Sequence, residues 1–547
     1  MLPNLALTLA LRAEHYSNPI CQSRCFARPT GPFEFVSHDP SQPYNEAILI
    51  NQSHAFLRTD KILWSPRFSF AWQPLGVSHN TVLRGGVGLF HDSLPGGILE
   101  SFYLNAPLYN VFTPFGDNLT PTETTSLFKD AATSNAGFVS GFAAGQTLGQ
   151  IQAAIPNFFL PAINASEINI HSPQFQKWSL ELQQAFGVAT SLSIGYFGHH
   201  GIHELTQNLS ANAFGFSSLP AELCISPPIP PCADARFSQV TEYSTNAVSN
   251  YNGVVISFKH QLTRWTQGVI QANYTYGHAF DEISNGGIFS FTSGSSLNPQ
   301  APTNLRGSYG PAEYDLRHSF NANYVWELPL KAVLRWHSPD SLVKGWQISG
   351  TIFARTGLPY TVFDPVASGN LAQNNYFGLI YAVPAKPLGS GLSCGSGAAF
   401  PLAPQPCQPP QVLPDGTANP NANFVQAGCE TGFDVGNLPG PLGPCSGPAA
   451  SLAQGRNHFR GPSYFNTDFA IMKNTKIPGW ENASLGIGFQ FFNLFNHPNF
   501  GFPDNFVSSP TLGQIFYLEQ SPTSILGNGL GGDATPRMIQ LKAQLQF

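Results

Sequence analysis

Charge is what this sequence has least of. Asp, Glu, Lys and Arg make up 10% of its 547 residues, against ~25% in an ordinary soluble domain. Such poverty suits a membrane, yet no run of ~18 apolar residues occurs, which excludes a helical membrane protein. The net charge of -6 leaves no basic footprint, so nucleic acid is not an expected partner. No C-x-x-C pair occurs, and a zinc site needs ligands at such short spacings. A clear signal peptide is also missing. The start, MLPNLALTLALRAEHY, has no positive n-region. It sets Leu5, Leu7, Leu9 and Leu11 against Ala6, Thr8, Ala10 and Arg12, and so reads as a strand rather than a leader.

What is abundant is aromatic: 44 Phe and 17 Tyr give the chain enough apolar surface to bury, so a folded chain is expected. These residues fall in alternating runs. RFSFAWQ aligns Phe68, Phe70 and Trp72. KWSLELQQ aligns Trp178, Leu180 and Leu182. VVISFKHQL aligns Val254, Ile256 and Phe258. HSFNANYVWELP aligns Phe320, Ala322, Tyr324, Trp326 and Leu328. FNTDFAIMKN aligns Phe465, Thr467, Phe469 and Ile471, and LGIGFQFF aligns Leu485, Ile487, Phe489 and Phe491. A period of two is a strand with one apolar and one polar face. The chain ends the same way, with Ile539, Leu541, Ala543, Leu545 and Phe547 on one face.

About twelve such strands, many of ~10 residues, are expected, which is long for a soluble sheet and right for a tilted membrane span. QLTRWTQG and AFGVAT are short turns. Residues 18–60, 92–168, 202–247, 282–312, 365–460 and 499–533 are long, polar and rich in Gly and Pro. Short turns on one side and long loops on the other are the asymmetry of an outer-membrane barrel. Lipid outside and water inside call for apolar-out, polar-in strands. Arg12, Lys177, Glu181, Lys259, Glu327 and Asp468 are then expected to line the lumen. The competing reading is a secreted, disulfide-stapled all-β binding protein or hydrolase; no repeat of propeller length supports a propeller.

The eight cysteines lie in loop segments as neighbouring pairs: Cys21 with Cys25, Cys224 with Cys232, Cys394 with Cys407, and Cys429 with Cys445. Even number and loop position suggest disulfides in an oxidising compartment, with the connectivity of the last four open. No catalytic constellation stands out. His203 and Glu204 begin an H-E-x-x-H pattern, but Gln207 takes the second histidine's place, so GHHGIHELTQ reads as a wet turn. GNGLGG at 527–532 matches a dinucleotide fingerprint by letter only and is read as a loop. Asp281, Glu282, Glu313 and Asp315 are read as solvated charges at strand ends. No cofactor, metal or catalytic residue is assigned.

Several segments together resemble the Oar-like TonB-dependent outer-membrane receptors of acidobacterial type. They are SNYNGVVISFKHQLTRWTQGVIQANYTYGHAFDE, EYDLRHSFNANYVWELP, GWQISGTIFARTGLPYTV, GRNHFRGPSYFNTDFAIMKN, FQFFNLFNHPNFGFP and TPRMIQLKAQLQF, in that order. The resemblance covers most of the chain from about Pro3 onward. It implies the C-terminal portion of a receptor barrel whose full-length relatives resemble ~22-stranded barrels with a periplasmic plug.

Residues 1–547 are accordingly expected to form one partial antiparallel transmembrane β-barrel domain, with long extracellular loops and short periplasmic turns. The plug, the TonB-box segment and the N-terminal strands are missing from it. A truncated gene, a misplaced start codon or a split reading frame is expected; a non-functional remnant is a further reading. The implied role is uptake of an unidentified solute across the outer membrane, without enzyme chemistry. The implied partners are outer-membrane lipid, the assembly machinery that reads the terminal Phe547, and the TonB complex only if missing sequence supplies a plug.

Overall fold

The computed structural model describes residues 4–76, 79–110, 121–212, 234–262, 267–284, 305–334, 339–364, 380–382, 424, 456–477, 479–480, 483–507, 509, 511–518 and 536–547. Twelve strands form one antiparallel meander in which every strand pairs with its neighbours in sequence. They are β1 (Leu5–Glu14), β2 (Leu63–Trp72), β3 (Thr81–His91), β4 (Gln174–Phe186), β5 (Thr190–Asn208) and β6 (Val240–Leu262). The second half continues with β7 (Gly268–Asp281), β8 (His318–Glu327), β9 (Trp346–Arg355), β10 (Tyr464–Lys476), β11 (Ser484–Phe492) and β12 (Met538–Gln546). Two short strands join this sheet. Gly310–Pro311 pairs with the end of β7, and Ile163–Ser166 runs parallel to the start of β6.

Register shows what the alternation does. Leu7, Phe70, Gly85, Leu180, Tyr196, Val254 and Tyr276 stand in one row across seven strands. The opposite face carries the row Ser191, Lys259, Gln271, Asn323, Thr351 and Asp468. Arg84 and Glu181 are register partners on that polar face. The other expected lumen residues Arg12, Lys177 and Glu327 share it by the same alternation. The apolar face is open to its surroundings. Phe258, Trp326 and Phe489 are 38%, 37% and 48% exposed. A soluble sandwich would have buried these side chains in a dry core.

β2 shows the span in a single strand. Its apolar face reads Trp64, Pro66, Phe68, Phe70, Trp72, with an aromatic at each end. Eight residues cover about 26 Å along a strand, or about 20 Å of height at a 40° tilt, close to the ~25 Å apolar band of an outer-membrane barrel. The 23-residue β6 reaches about 76 Å, so it rises well beyond any bilayer.

The connections alternate as the sequence requires. Residues 73–80, 187–189, 263–267, 328–345 and 477–483 join strands at one end; 15–62, 92–173, 209–239, 282–317, 356–463 and 493–537 do so at the other. The tightest short turn uses Gly187 at φ +63°, a left-handed conformation that glycine adopts without strain. The long connections hold the hydrophobic core. One cluster packs Phe33, Tyr44, Ile48, Phe138, Ile151 and Phe237; a second packs Leu358, Tyr360, Phe424, Phe459 and Phe502; a third packs Phe26, Phe56, Phe102 and Tyr243. Among the described residues the buried clusters thus lie at the long-connection end of the sheet, where they form a packed cap.

Two expectations about these connections need correction. Segment 92–168 is not loop alone. It forms helices over Gly97–Tyr103, Pro121–Ala143 and Leu148–Ala154, the last closed by a Thr147–Gln150 capping box. Its Ala, Leu and Thr content suffices for helix once Phe138, Phe142 and Ile151 have a core to join. GHHGIHELTQ is not a turn either, because residues 198–207 continue β5. A bulge between Gly201 and Glu204 places His203 at φ +56° and lets the strand climb on into the cap.

The sheet does not close on itself. β1 and β12 are its two edges, and among the described residues no ladder joins residues 4–12 to 538–546. Leu9 is 82% and Leu541 64% exposed at these edges.

Candidate functional site

The four carboxylates read as solvated strand-end charges are nothing of the kind. Asp281, Glu313 and Asp315 are each 1% exposed and Glu282 is 5% exposed. A bare carboxylate at such depth is costly, so cations and N–H donors have to accompany it. Arginines do so, delivered by the distant segment 456–460 and by the start of β8.

Arg456, itself buried, extends over the tip of β7. Its Nε donates to the Ser308 carbonyl at 3.0 Å and one Nη donates to the Asp281 carbonyl at 2.7 Å. The same nitrogen forms an ion pair with the Asp281 carboxylate. The Ser284 hydroxyl donates to Asp281 at 2.7 Å and accepts from the Glu313 N–H at 3.0 Å. Asp315 accepts from the Ala279 N–H at 2.8 Å and pairs with both Arg317, at 3.2 Å, and Arg460. Arg460 also donates to the Asp315 carbonyl at 2.7 Å. Gly310 is the one residue that fits beneath Arg456. A Cβ there would stand 2.6 Å from the Arg456 carbonyl oxygen.

These contacts set the charges. Burial alone pushes the Asp315 carboxyl up, but hydrogen bonds from Arg460 and the Ala279 N–H, with the Arg460 charge, hold it below the usual carboxylate range. Burial pulls Arg456 down, and the Asp281 carboxylate more than offsets it, so the guanidinium is held charged. Burial raises Glu282, only partly countered by the Val248 N–H at 3.1 Å.

Above this network lies an open pocket of about 380 Å³. Its lining includes Arg317, Arg456, His458 and Arg460 but none of the carboxylates, which sit behind the arginines. Phe280 and Tyr309 stack at its side, with ring centroids 5.6 Å apart and planes 13° apart.

A second buried network fastens two long connections together. Asp234 accepts from His38 Nδ1 and from Arg236, both at 2.9 Å, and Asn212 bonds the backbone on either side of it. Burial again pushes the Asp234 carboxyl up, and the His38 and Arg236 hydrogen bonds bring it below the usual range. Tyr44 donates to the Arg236 carbonyl at 2.7 Å. This His–Asp pair lies inside the packed cap, and its visible work is to join segment 15–62 to segment 209–239.

Of the residues singled out from sequence, Cys21 and Cys25 are joined by a disulfide between β1 and β2. Cys224, Cys232, Cys394, Cys407, Cys429 and Cys445, and the GNGLGG loop, lie outside the described residues. Phe547 is 92% exposed just beyond the end of β12, on the short-turn side. Among the described residues no group of three or more His, Cys, Asp or Glu side chains is placed to hold a metal ion. The functional residues that sequence reasoning missed are Arg456, Arg460 and Arg317. Arg317 follows Asp315 by two residues, but nothing in the sequence ties Arg456 and Arg460 to Asp281 and Asp315 until the fold brings them together.

A strand meander of this build, apolar on one face and polar on the other, has a counterpart among known families. Residues 1–540 match the family described as outer membrane beta barrel domain. The chain belongs to that family. Its place is the outer membrane. Solved structures similar to it include the outer membrane transporter YddB from Escherichia coli, at 9% identity and a TM-score of 0.41, covering 89% of this chain and 41% of that one. The FrpB iron transporter (F3-3 variant) from Neisseria meningitidis is similar at 8% identity and a TM-score of 0.34, over 89% of this chain and 40% of that one. The siderophore receptor PirA from Acinetobacter baumannii is similar at 10% identity and a TM-score of 0.35, over 89% of this chain and 41% of that one. The chain thus spans about two fifths of the length of these proteins. No curated protein matches the sequence.

Proposed function

We propose that this chain is the C-terminal barrel portion of a TonB-dependent receptor of the Oar-like type and serves uptake of a scarce or large solute. The observation that carries the reading is the two-faced meander. It supplies a lipid-facing wall, a polar lumen wall and a structured cap from one strand order. The Oar-like segments quoted above fall on β6 to β12 and their immediate flanks, which supports the subtype. FrpB is described as an iron transporter and PirA as a siderophore receptor, and uptake of some solute by this chain is part of the proposal.

In this reading the chain does no covalent chemistry. The lumen wall offers Arg84, Lys177, Glu181, Lys259 and Asp468 to a plug or a passing solute, and the cap contacts the solute first. Engagement with the TonB complex is part of this reading only if further sequence supplies a plug. The lipid and the assembly machinery are the partners of the wall itself. The local pairings Cys224 with Cys232, and among Cys394, Cys407, Cys429 and Cys445, are part of the same proposal. Mass spectrometry of unreduced peptides from outer membranes is expected to show them, and freely alkylated thiols would refute them.

Uptake is tested in the native host against a strain with the gene disrupted, using labelled ferric chelates and labelled oligosaccharides, with and without a protonophore. The expected result is that the disrupted strain loses one solute class and that collapsing the proton-motive force abolishes the same uptake in the parent. Equal uptake of every probe in the two strains contradicts the proposal.

A further inference from the structure

The pocket over the tip of β7 has the chemistry of a ligand site that the barrel fold does not need. A buried salt-bridge network built only for stability ends with its charges matched and its surface closed. Here Arg317 and Arg460 are partly exposed on the open lining, while Arg456 is buried with the acids. Asp315 engages Arg317 through Nε, and among the described residues the two Nη groups of that partly exposed side chain take no other hydrogen bond. Arg460 uses both Nη groups on Asp315, at its carboxylate and its carbonyl, which fixes the planar fork. His458 is exposed on the same lining. Beside these donors stand the stacked Phe280 and Tyr309 rings, with Tyr309 held by a 2.9 Å hydrogen bond from Asn250.

We propose that this pocket binds an oxyanion carried on a sugar-sized ring, with Arg317 as its principal ligand and Tyr309 as the surface on which the ring lies. Arginine is suited to the task because its fork matches carboxylate and phosphate oxygens two at a time. Preorganisation is already in place. Asp281 and Asp315 hold Arg456 and Arg460, so little side-chain freedom remains to be lost on binding. A volume of about 380 Å³ admits one ring with its anionic group. The site lies at the loop end of the sheet, where a solute arriving from outside meets the cap. The inference names the kind of solute and therefore rests on the uptake reading.

The test uses the full chain in outer-membrane vesicles with defined probes: glucuronate, glucose 6-phosphate, glucose and inorganic phosphate. Binding of both anionic sugars with none of glucose is expected. Arg317→Gln is expected to weaken both about tenfold, the scale of one lost charge-assisted bond. Tyr309→Ala removes an exposed ring and is expected to weaken the anionic sugars while leaving inorganic phosphate unchanged. Binding of glucose as tight as glucuronate, or unaltered binding in both variants, overturns the proposal. Phosphate bound as tightly as the anionic sugars overturns the role of the ring. If the variants lose binding while the gene-disruption experiment shows no uptake defect, the pocket stands and the uptake reading fails. If uptake persists undiminished in Arg317→Gln, the uptake reading stands and the pocket fails.

Discussion

A carboxylate at the end of a strand is satisfied by water unless the protein supplies better partners. Asp281 and Asp315 have such partners because the fold returns Arg456 and Arg460 to them from far along the chain. Breaking the Asp281–Arg456 pair leaves one buried charge without its partner, which costs about 3–5 kcal/mol. Arg456→Met is therefore expected to expose segment 282–317 to protease on intact vesicles, with the strands still protected. Equal protease resistance in wild type and variant would falsify the role of this pair. Replacing both partners with apolar residues of similar volume is expected to recover much of the loss.

Acid should act on the same cap. Asp234 and Asp315 are held below the ordinary carboxylate range, so each stabilises the folded cap fully above its unfolded pKa of about 3.9. That stability fades as pH falls through the lowered folded values. The share of the cap's protease protection that rests on Asp234 and Asp315 is expected to hold above about pH 5 and to decline below about 4, whereas Glu282, raised by burial, favours the folded cap as pH falls. A midpoint near 6.5 would point to histidine instead and contradict this account.

The elements divide sharply in how far they could be read in advance. β1, β2, β4, β6, β8, β10, β11 and β12 were legible because membrane strands keep a strict period of two, and Phe68, Trp178 or Leu541 stands out against polar neighbours. The cap was not legible. The helix Pro121–Ala143 mixes Thr, Ser, Ala and Gly with a few Phe, and its stability comes from tertiary contacts of Phe138 and Phe142. The climb of β5 through Gly201, His203 and Glu204 was hidden because a bulge breaks the alternation on which the reading relied. The arginine site was hidden for the opposite reason. Its parts carry no local signal, and segment 456–460 meets β7 only through the folded cap.

At this scale the faces can be tested by exchange. Phe68→Lys puts a cation on the lipid side of β2 near mid-span, at an expected cost of about 2–4 kcal/mol. Ser69→Lys, one residue along, faces the lumen and is expected to cost well under about 1 kcal/mol. Urea unfolding in lipid vesicles measures both. Equal costs at the two positions contradict the assignment of faces.

At the scale of the molecule the open sheet is the controlling fact. Backbone groups left unpaired in lipid cost several kcal/mol each, so neither β1 nor β12 can stay an edge within a membrane. β1 runs from the short-turn end to the cap and β12 runs back, so the two edges are antiparallel to each other. Cysteines placed at Thr8 and Gln544, on the polar face of the two edge strands, are expected not to join within one chain, because no ladder brings those edges together among the described residues. A rapid intrachain disulfide between them refutes this and favours a narrow self-closed barrel.

The central claim is that one face of this sheet meets lipid and the other meets water. Spin labels placed singly along residues 64–72 of the membrane-inserted protein, read by collision with oxygen and with a water-soluble nickel chelate, test it most directly. Labels at Phe68, Phe70 and Trp72 are predicted to collide preferentially with oxygen, and those at Arg67, Ser69 and Ala71 with nickel, in strict alternation. The same preference at all six positions, or the reverse alternation, would contradict the account.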